Sequence, residues 1–160
     1  MRMLANEESM TTMEALRRAT AAAAASGVRA ALLLTRMWPE HAGRERRVET
    51  LGKLRAALTA ALPDVQLHTM FNEMTGSKAV PAARARTIEA MRDGSKMRLL
   101  LLHDGKEEKE QITGLDLGFI ECILSVGVLE NPQQAYARAM RASDNPPKKN
   151  VLIVRIGHQG

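Results

Sequence analysis

Gln134, Arg138 and Arg141 stand at i, i+4 and i+7, so a helix through 134–141 sets one amide and two guanidiniums on a single face. Upstream lies Thr113-Gly114-Leu115-Asp116-Leu117-Gly118, a glycine-bearing turn with one carboxylate, and an apolar run over 122–129 separates the two. Guanidiniums placed this way suit a phosphate chain, because each offers a planar fork of donors and a charge that does not titrate. A solvated basic face is the ordinary alternative for an arginine pair taken by itself.

Other chemistries find less support. The run Leu99 to Asp104, four leucines ending near an aspartate, has the form of a strand that holds a magnesium-binding carboxylate. Such a strand works with a phosphate loop of the form Gly-x-x-x-x-Gly-Lys-Ser/Thr. Gly52-Lys53-Leu54 and Gly105-Lys106-Glu107 lack both the upstream glycine and the following hydroxyl, so Asp104 reads as a loop residue after a buried strand. Ser125, in Leu-Ser-Val-Gly, has no Gly-x-Ser-x-Gly elbow, and no Gly-x-Gly-x-x-Gly follows the first strand. The single cysteine, Cys122, reads as a buried thiol, and His41, His68, His103 and His158 show no ligand spacing, so no metal site is expected.

The chain has 160 residues, 45% hydrophobic and 26% charged, which is enough for one domain with a real core. A net charge of +5 suits an acidic partner without identifying it. Trp38, Phe71, Phe119 and Tyr136 are the only aromatics, which argues against a single-strand binder built on stacking platforms. No apolar run is long enough to span a membrane. Arg17-Arg18 before the alanines 21–25 has the outline of an export signal, but Glu7, Glu8 and Glu14 precede it, so an intracellular, unsecreted protein is expected.

Periodicity places the elements that must carry these residues. Helix formers fill 3–25, with Met10, Met13, Leu16 and Thr20 on one face and Ser26-Gly27 as the stop. A buried strand follows over 30–35. Next comes a helix over 44–62, with Val48, Leu51, Leu54, Leu58 and Leu62 on one face and Arg44, Arg46, Arg47, Lys53 and Arg55 on the other. A strand over 65–71, a helix from Pro81 to about 92 and an apolar strand over 97–102 come after it. The charged stretch 103–110 is expected as a loop. A strand over 122–129, a helix over 131–142 and a last strand over 151–156 complete the chain. Apolar strands alternating with helices predict a three-layer α/β domain, a mainly parallel sheet with helices on both faces. Ligands then bind at the carboxyl ends of the strands, where the loops after Thr35, Phe71, Leu102 and Leu129 gather.

These residues resemble the second RecA-like lobe of superfamily 2 helicases. Ala31 to Thr35 resembles that lobe's first strand, and Arg84, Met91 and Gly94 match its arginine, aromatic and glycine at i, i+7 and i+10, with Met91 in the aromatic's place. Thr113-Gly114-Leu115-Asp116-Leu117 resembles motif V. Gln134, Arg138 and Arg141 match motif VI, Gln-x-x-Gly-Arg-x-x-Arg, with Ala137 at its glycine. The form is closest to the Swi/Snf-type ATPases and their relatives in large DNA viruses. The resemblance covers 28–156 and implies a helicase C-terminal domain over 28–160 with an N-terminal helix, 1–27, packed on it.

The resemblance also implies roles. Arg141 would be the arginine finger and Arg138 a second phosphate contact, the two catalytic groups. Gln134, Asp116 and Gly114 would face the nucleotide. Thr113, together with Gly114, Arg84 and Arg36, would meet the nucleic-acid backbone, with DNA expected ahead of RNA. ATP and magnesium would bind only in complex with a first lobe on another chain or on the rest of the gene product, since this sequence has no phosphate loop. No ATP hydrolysis is expected from it alone. The alternatives are a non-enzymatic basic nucleic-acid-binding module using Arg44 to Arg55, Lys148 and Lys149, and a degenerate remnant acting as a scaffold.

Overall fold

A computed structural model describes residues 2–92, 94, 96–105, 117–127, 129, 132, 133, 136 and 151–157. Among them the order is α1 (Arg2–Ala25), β1 (Ala30–Thr35), α2 (Arg44–Ala61), β2 (Val65–Thr69), α3 (Pro81–Arg92), β3 (Met97–His103), β4 (Cys122–Val126) and β5 (Leu152–Ile156). The five strands form one parallel sheet in the order β2-β3-β1-β4-β5.

The uncharged run Ala30 to Leu34 can lie at the centre because both of its faces are covered. Ala31 and Leu33 face α1 and α2, together with Leu99, Leu101 and Leu124. Leu32 and Leu34 face the other way with Leu100, Leu102 and Ile123, against Met91 of α3 and the segment containing Leu117 and Ile120. Burying each such leucine stabilises the fold by roughly 1.5–3 kcal/mol. The α1 face holds Met13, Leu16 and Ala23 on the first cluster, and the Thr20 hydroxyl donates to the Leu16 carbonyl at 2.7 Å.

One charge is buried in the central strands. Arg98 of β3 is 3% exposed, and its guanidinium donates to the carbonyls of Met91 (2.8 Å), Gly94 (2.6 Å) and Lys96 (2.8 Å). The Met91 carbonyl belongs to the last turn of α3 and the other two to the connection that follows, so a side chain from the sheet ties the helix end to the chain entering β3.

Several element boundaries differ from the sequence pattern, three of them at the carboxyl ends of strands. The strand expected over 65–71 leaves the ladder after Thr69. Met70 turns into the core, and Phe71 pairs only with Lys78 in an isolated antiparallel bridge. The strand over 97–102 extends to His103, which pairs in register with Thr35. The strand over 122–129 stops at Val126, where Gly127 (φ +80°) turns the chain and donates to the Ile156 carbonyl at 3.1 Å. Of the helix expected over 131–142, Gln133 and Tyr136 are helical, and most of the rest lies outside the described residues.

Candidate nucleic-acid interface

In a parallel sheet every strand points the same way, so β1, β2, β3 and β4 release their following loops on one edge. The amino ends of α2 and α3 begin there too. This edge is where the sequence places a ligand.

Its floor is built from β1 and β3. The Asp104 N–H donates to the Thr35 carbonyl (2.9 Å), and the Met37 N–H donates to Nδ1 of His103 (2.9 Å). That bond fixes the neutral imidazole with its proton on Nε2. Burial first, then the Arg47 and Arg36 guanidiniums, push the His103 imidazole down to about 4. Its ring lies against the indole of Trp38, centroids 4.5 Å apart and planes 23° apart. Phe71 meets Trp38 edge-on at 5.1 Å, and Arg47 of α2 lies 5.2 Å from the indole centroid. Strands β1 and β3, helix α2 and the chain after β2 therefore converge on one indole that is 3% exposed.

A small loop walls one side. The Asn72 side chain accepts from the N–H groups of Met74 (2.9 Å) and Thr75 (3.3 Å), and the Asn72 N–H donates to the Ser77 carbonyl (2.8 Å). Gly76, at φ +70°, is pressed on α2 so closely that a Cβ there would stand 2.9 Å from both the Arg44 carbonyl and Arg47 Cβ. Glu73 of the same loop is paired with Arg55 of α2. Met74 at the loop tip is 88% exposed.

Charge on this edge is uneven. Arg36, Arg44 and Arg46 are exposed beside the amino end of α2. That end has no side-chain cap, because Gly43 occupies the capping position. Further along α2, Lys53 is paired with Glu49 at 2.8 Å and Arg55 with Glu73. The basic stripe the sequence drew over 44–55 is thus partly neutralised within the fold, and Arg44 and Arg46 are its exposed cations at the first turn.

Of the residues singled out in the sequence, Arg36 directly follows β1 and Arg84 lies half-buried in the first turn of α3, so both belong to this edge. Thr113, Gly114, Asp116, Gln134, Arg138 and Arg141 lie outside the described residues, as do Lys148 and Lys149. Residues close to them are described. Leu117 and Ile120 are fully buried on the α3 face, and Tyr136 packs against the same cluster. Ser125 and Tyr136 share a hydrogen bond of 2.8 Å.

Sequence reasoning overlooked Trp38 and His103. The available signal was an indole three residues after a buried strand and a histidine ending another. Asp104, read as a loop residue, is 2% exposed and tied to β1 through its backbone.

No family model and no curated protein matches this sequence. Among solved structures, the chain is similar to the Mss116p DEAD-box helicase domain 2 bound to an RNA duplex, with a TM-score of 0.56 and 12% identity. The likeness covers 94% of this chain and 51% of that one, so the chain spans about half the length of its solved neighbour. The chain has a RecA-like fold. In that setting the carboxyl edge described above belongs to a RecA-like sheet, with Trp38 and His103 under its centre and Arg36 and Arg84 along it. Among the described residues, no helix is long and apolar enough to cross a membrane.

Proposed function

We propose that the chain is the second lobe of a helicase-like, nucleic-acid-dependent ATPase. The observation that carries this reading is the joint placement of Arg36 and Arg84 on the carboxyl edge of a RecA-like sheet whose solved neighbour is a helicase domain 2 bound to RNA. Exposed Arg44 and Arg46 and the uncapped first turn of α2 add donors suited to phosphate, which fix register without reading sequence.

In this reading Thr113 and Gly114 meet the nucleic-acid backbone beside Arg36 and Arg84. Gln134, Asp116 and Gly114 face a nucleotide, with Arg138 and Arg141 on its phosphates. The nucleotide and its magnesium are held by a first lobe, because this sequence has no phosphate loop. Arginines opposite such a loop stabilise the charge that develops as the phosphoryl group leaves. Motif V and VI wording favours the Swi/Snf-type and viral ATPases, whereas the solved neighbour is of the DEAD-box type. Both RNA and DNA are therefore tested.

The decisive experiment titrates labelled single-stranded RNA and DNA with the chain at low and moderate salt. Binding is expected to weaken on the order of tenfold between ~50 and ~200 mM salt, as counterions released by two or three phosphate contacts require. Salt-independent binding, or none, overturns the reading. ATP alone is expected not to bind tightly, and micromolar binding by the isolated chain would contradict the need for a first lobe.

A further inference from the structure

At the carboxyl ends of β4 and β5, beyond the β1–β3 floor, lies a cleft of about 500 Å³ that is open on one side. Its size is that of an ordinary small-molecule site. Leu129, Pro132 and Ile156 supply apolar walls, and the lining is mostly apolar. Gly127 and Gly157 have nothing within 4 Å of where a Cβ would stand, so a flat body can approach the backbone there.

Four polar side chains, Ser125, Gln133, Tyr136 and Arg155, line this cleft. Ser125 and Arg155 are direct partners in the β4–β5 register and therefore project from the same face of the sheet. Arg155 makes no hydrogen bond or ion pair among the described residues. Ser125 is 4% exposed and shares its 2.8 Å hydrogen bond with the Tyr136 hydroxyl. Two hydroxyls joined to one another use a single O–H in the joint, whichever donates. The second O–H remains to be given away, next to an unshared guanidinium.

We propose that this cleft binds a small organic oxyanion carried on a flat ring, an aryl phosphate or aryl carboxylate. Arg155 provides the charge, the Ser125–Tyr136 pair gives one hydrogen bond, and Leu129, Pro132 and Ile156 cover the ring. An anion without a ring leaves the apolar walls wet, and a ring without an anion leaves Arg155 unanswered. The site does not depend on the nucleic-acid reading of the β1–β3 edge and can stand if that reading fails.

The test is a titration of the full chain with phenyl phosphate, followed by the amide resonances of Gly127 and Gly157. Benzoate, inorganic phosphate and benzyl alcohol serve as comparison probes. Phenyl phosphate or benzoate is expected to bind at ~1 mM or tighter, with both glycine amides shifting. Benzyl alcohol and inorganic phosphate should each be about tenfold weaker, and Arg155→Gln should weaken phenyl phosphate by a similar factor. Arg155 lies exposed on an edge strand, so this variant is expected to fold, with its Trp38 fluorescence as the check. Absence of binding at ~10 mM, equal binding by the Arg155→Gln chain, or inorganic phosphate matching phenyl phosphate would each overturn the proposal.

Discussion

The imidazole of His103 stacks on the indole of Trp38 while its Nδ1 accepts the Met37 N–H, although the two residues belong to different strand ends. Trp38 is the only tryptophan in the chain, so its fluorescence reports directly on this contact.

Acid should loosen this edge. The folded value of about 4 for His103 lies below its ordinary 6.5, so the unfolded chain binds the proton more readily. Stability is therefore full above pH 6.5 and declines as pH falls towards 4, by on the order of 3 kcal/mol. The half-buried His68, also pushed down, acts in the same direction. Urea midpoints followed by Trp38 fluorescence across that range check it. A midpoint that does not move, or a His103 resonance titrating near its ordinary value, rules the mechanism out.

Removing the imidazole should cost more than its area. His103→Ala leaves the Met37 N–H without its acceptor and takes away one stacking surface of Trp38. The expected destabilisation is about 2–4 kcal/mol. Chemical denaturation measures it, and a red-shifted indole emission should accompany it.

Gly76 is fixed by two demands at once, a left-handed backbone and contact with α2. Gly76→Val should destabilise by about 2–4 kcal/mol. It should also weaken nucleic-acid binding, because the first turn of α2 must shift away from Arg44 O and Arg47 Cβ. Wild-type stability in this variant would show that the loop does not press on the helix.

Arg98 should behave as a structural cation. Arg98→Met removes the donor to the Met91 carbonyl of α3 and to the Gly94 and Lys96 carbonyls of the connection after it, and is expected to cost about 2–4 kcal/mol. Hydrogen exchange should quicken in the last turn of α3 before it does in β1. Uniform exchange across both elements would argue against a local capping role.

Cations on the edge should differ in weight. Arg36→Ala and Arg84→Ala are each expected to reduce the salt slope for single strands by ~0.7, whereas Lys53→Ala should change affinity by no more than about twofold. Lys53 differs in place: it lies in the third turn of α2, away from the strand ends where Arg36 and Arg84 stand. Equal losses for all three would mean that only net charge is read.

Much of the layering was legible in the sequence because it rests on local patterns. Ala30 to Leu34 and Leu99 to Leu102 are uncharged and continuous, which suits a strand covered on both faces. Pro81 and the amphipathic spacing of Leu51, Leu54 and Leu58 placed α3 and α2. The strand order and the floor of the edge were not legible. Trp38, Phe71 and His103 meet through pairings between distant segments, and no local period records such a meeting. The early end of β2 had the same cause, since Met70 and Phe71 continue the alternation but are drawn out of the ladder by the 72–78 loop.

Strand β1 is first in the chain and central in the sheet. One side of it finds β3, but the other waits for β4, which begins only at Cys122. During synthesis, the interval between His103 and Val126 lasts roughly one to five seconds at ordinary elongation rates. Throughout it the six uncharged residues Ala30 to Thr35 form an open edge, the kind of template that recruits strands from other chains. A nascent chain arrested in that interval would be a seed for aggregation.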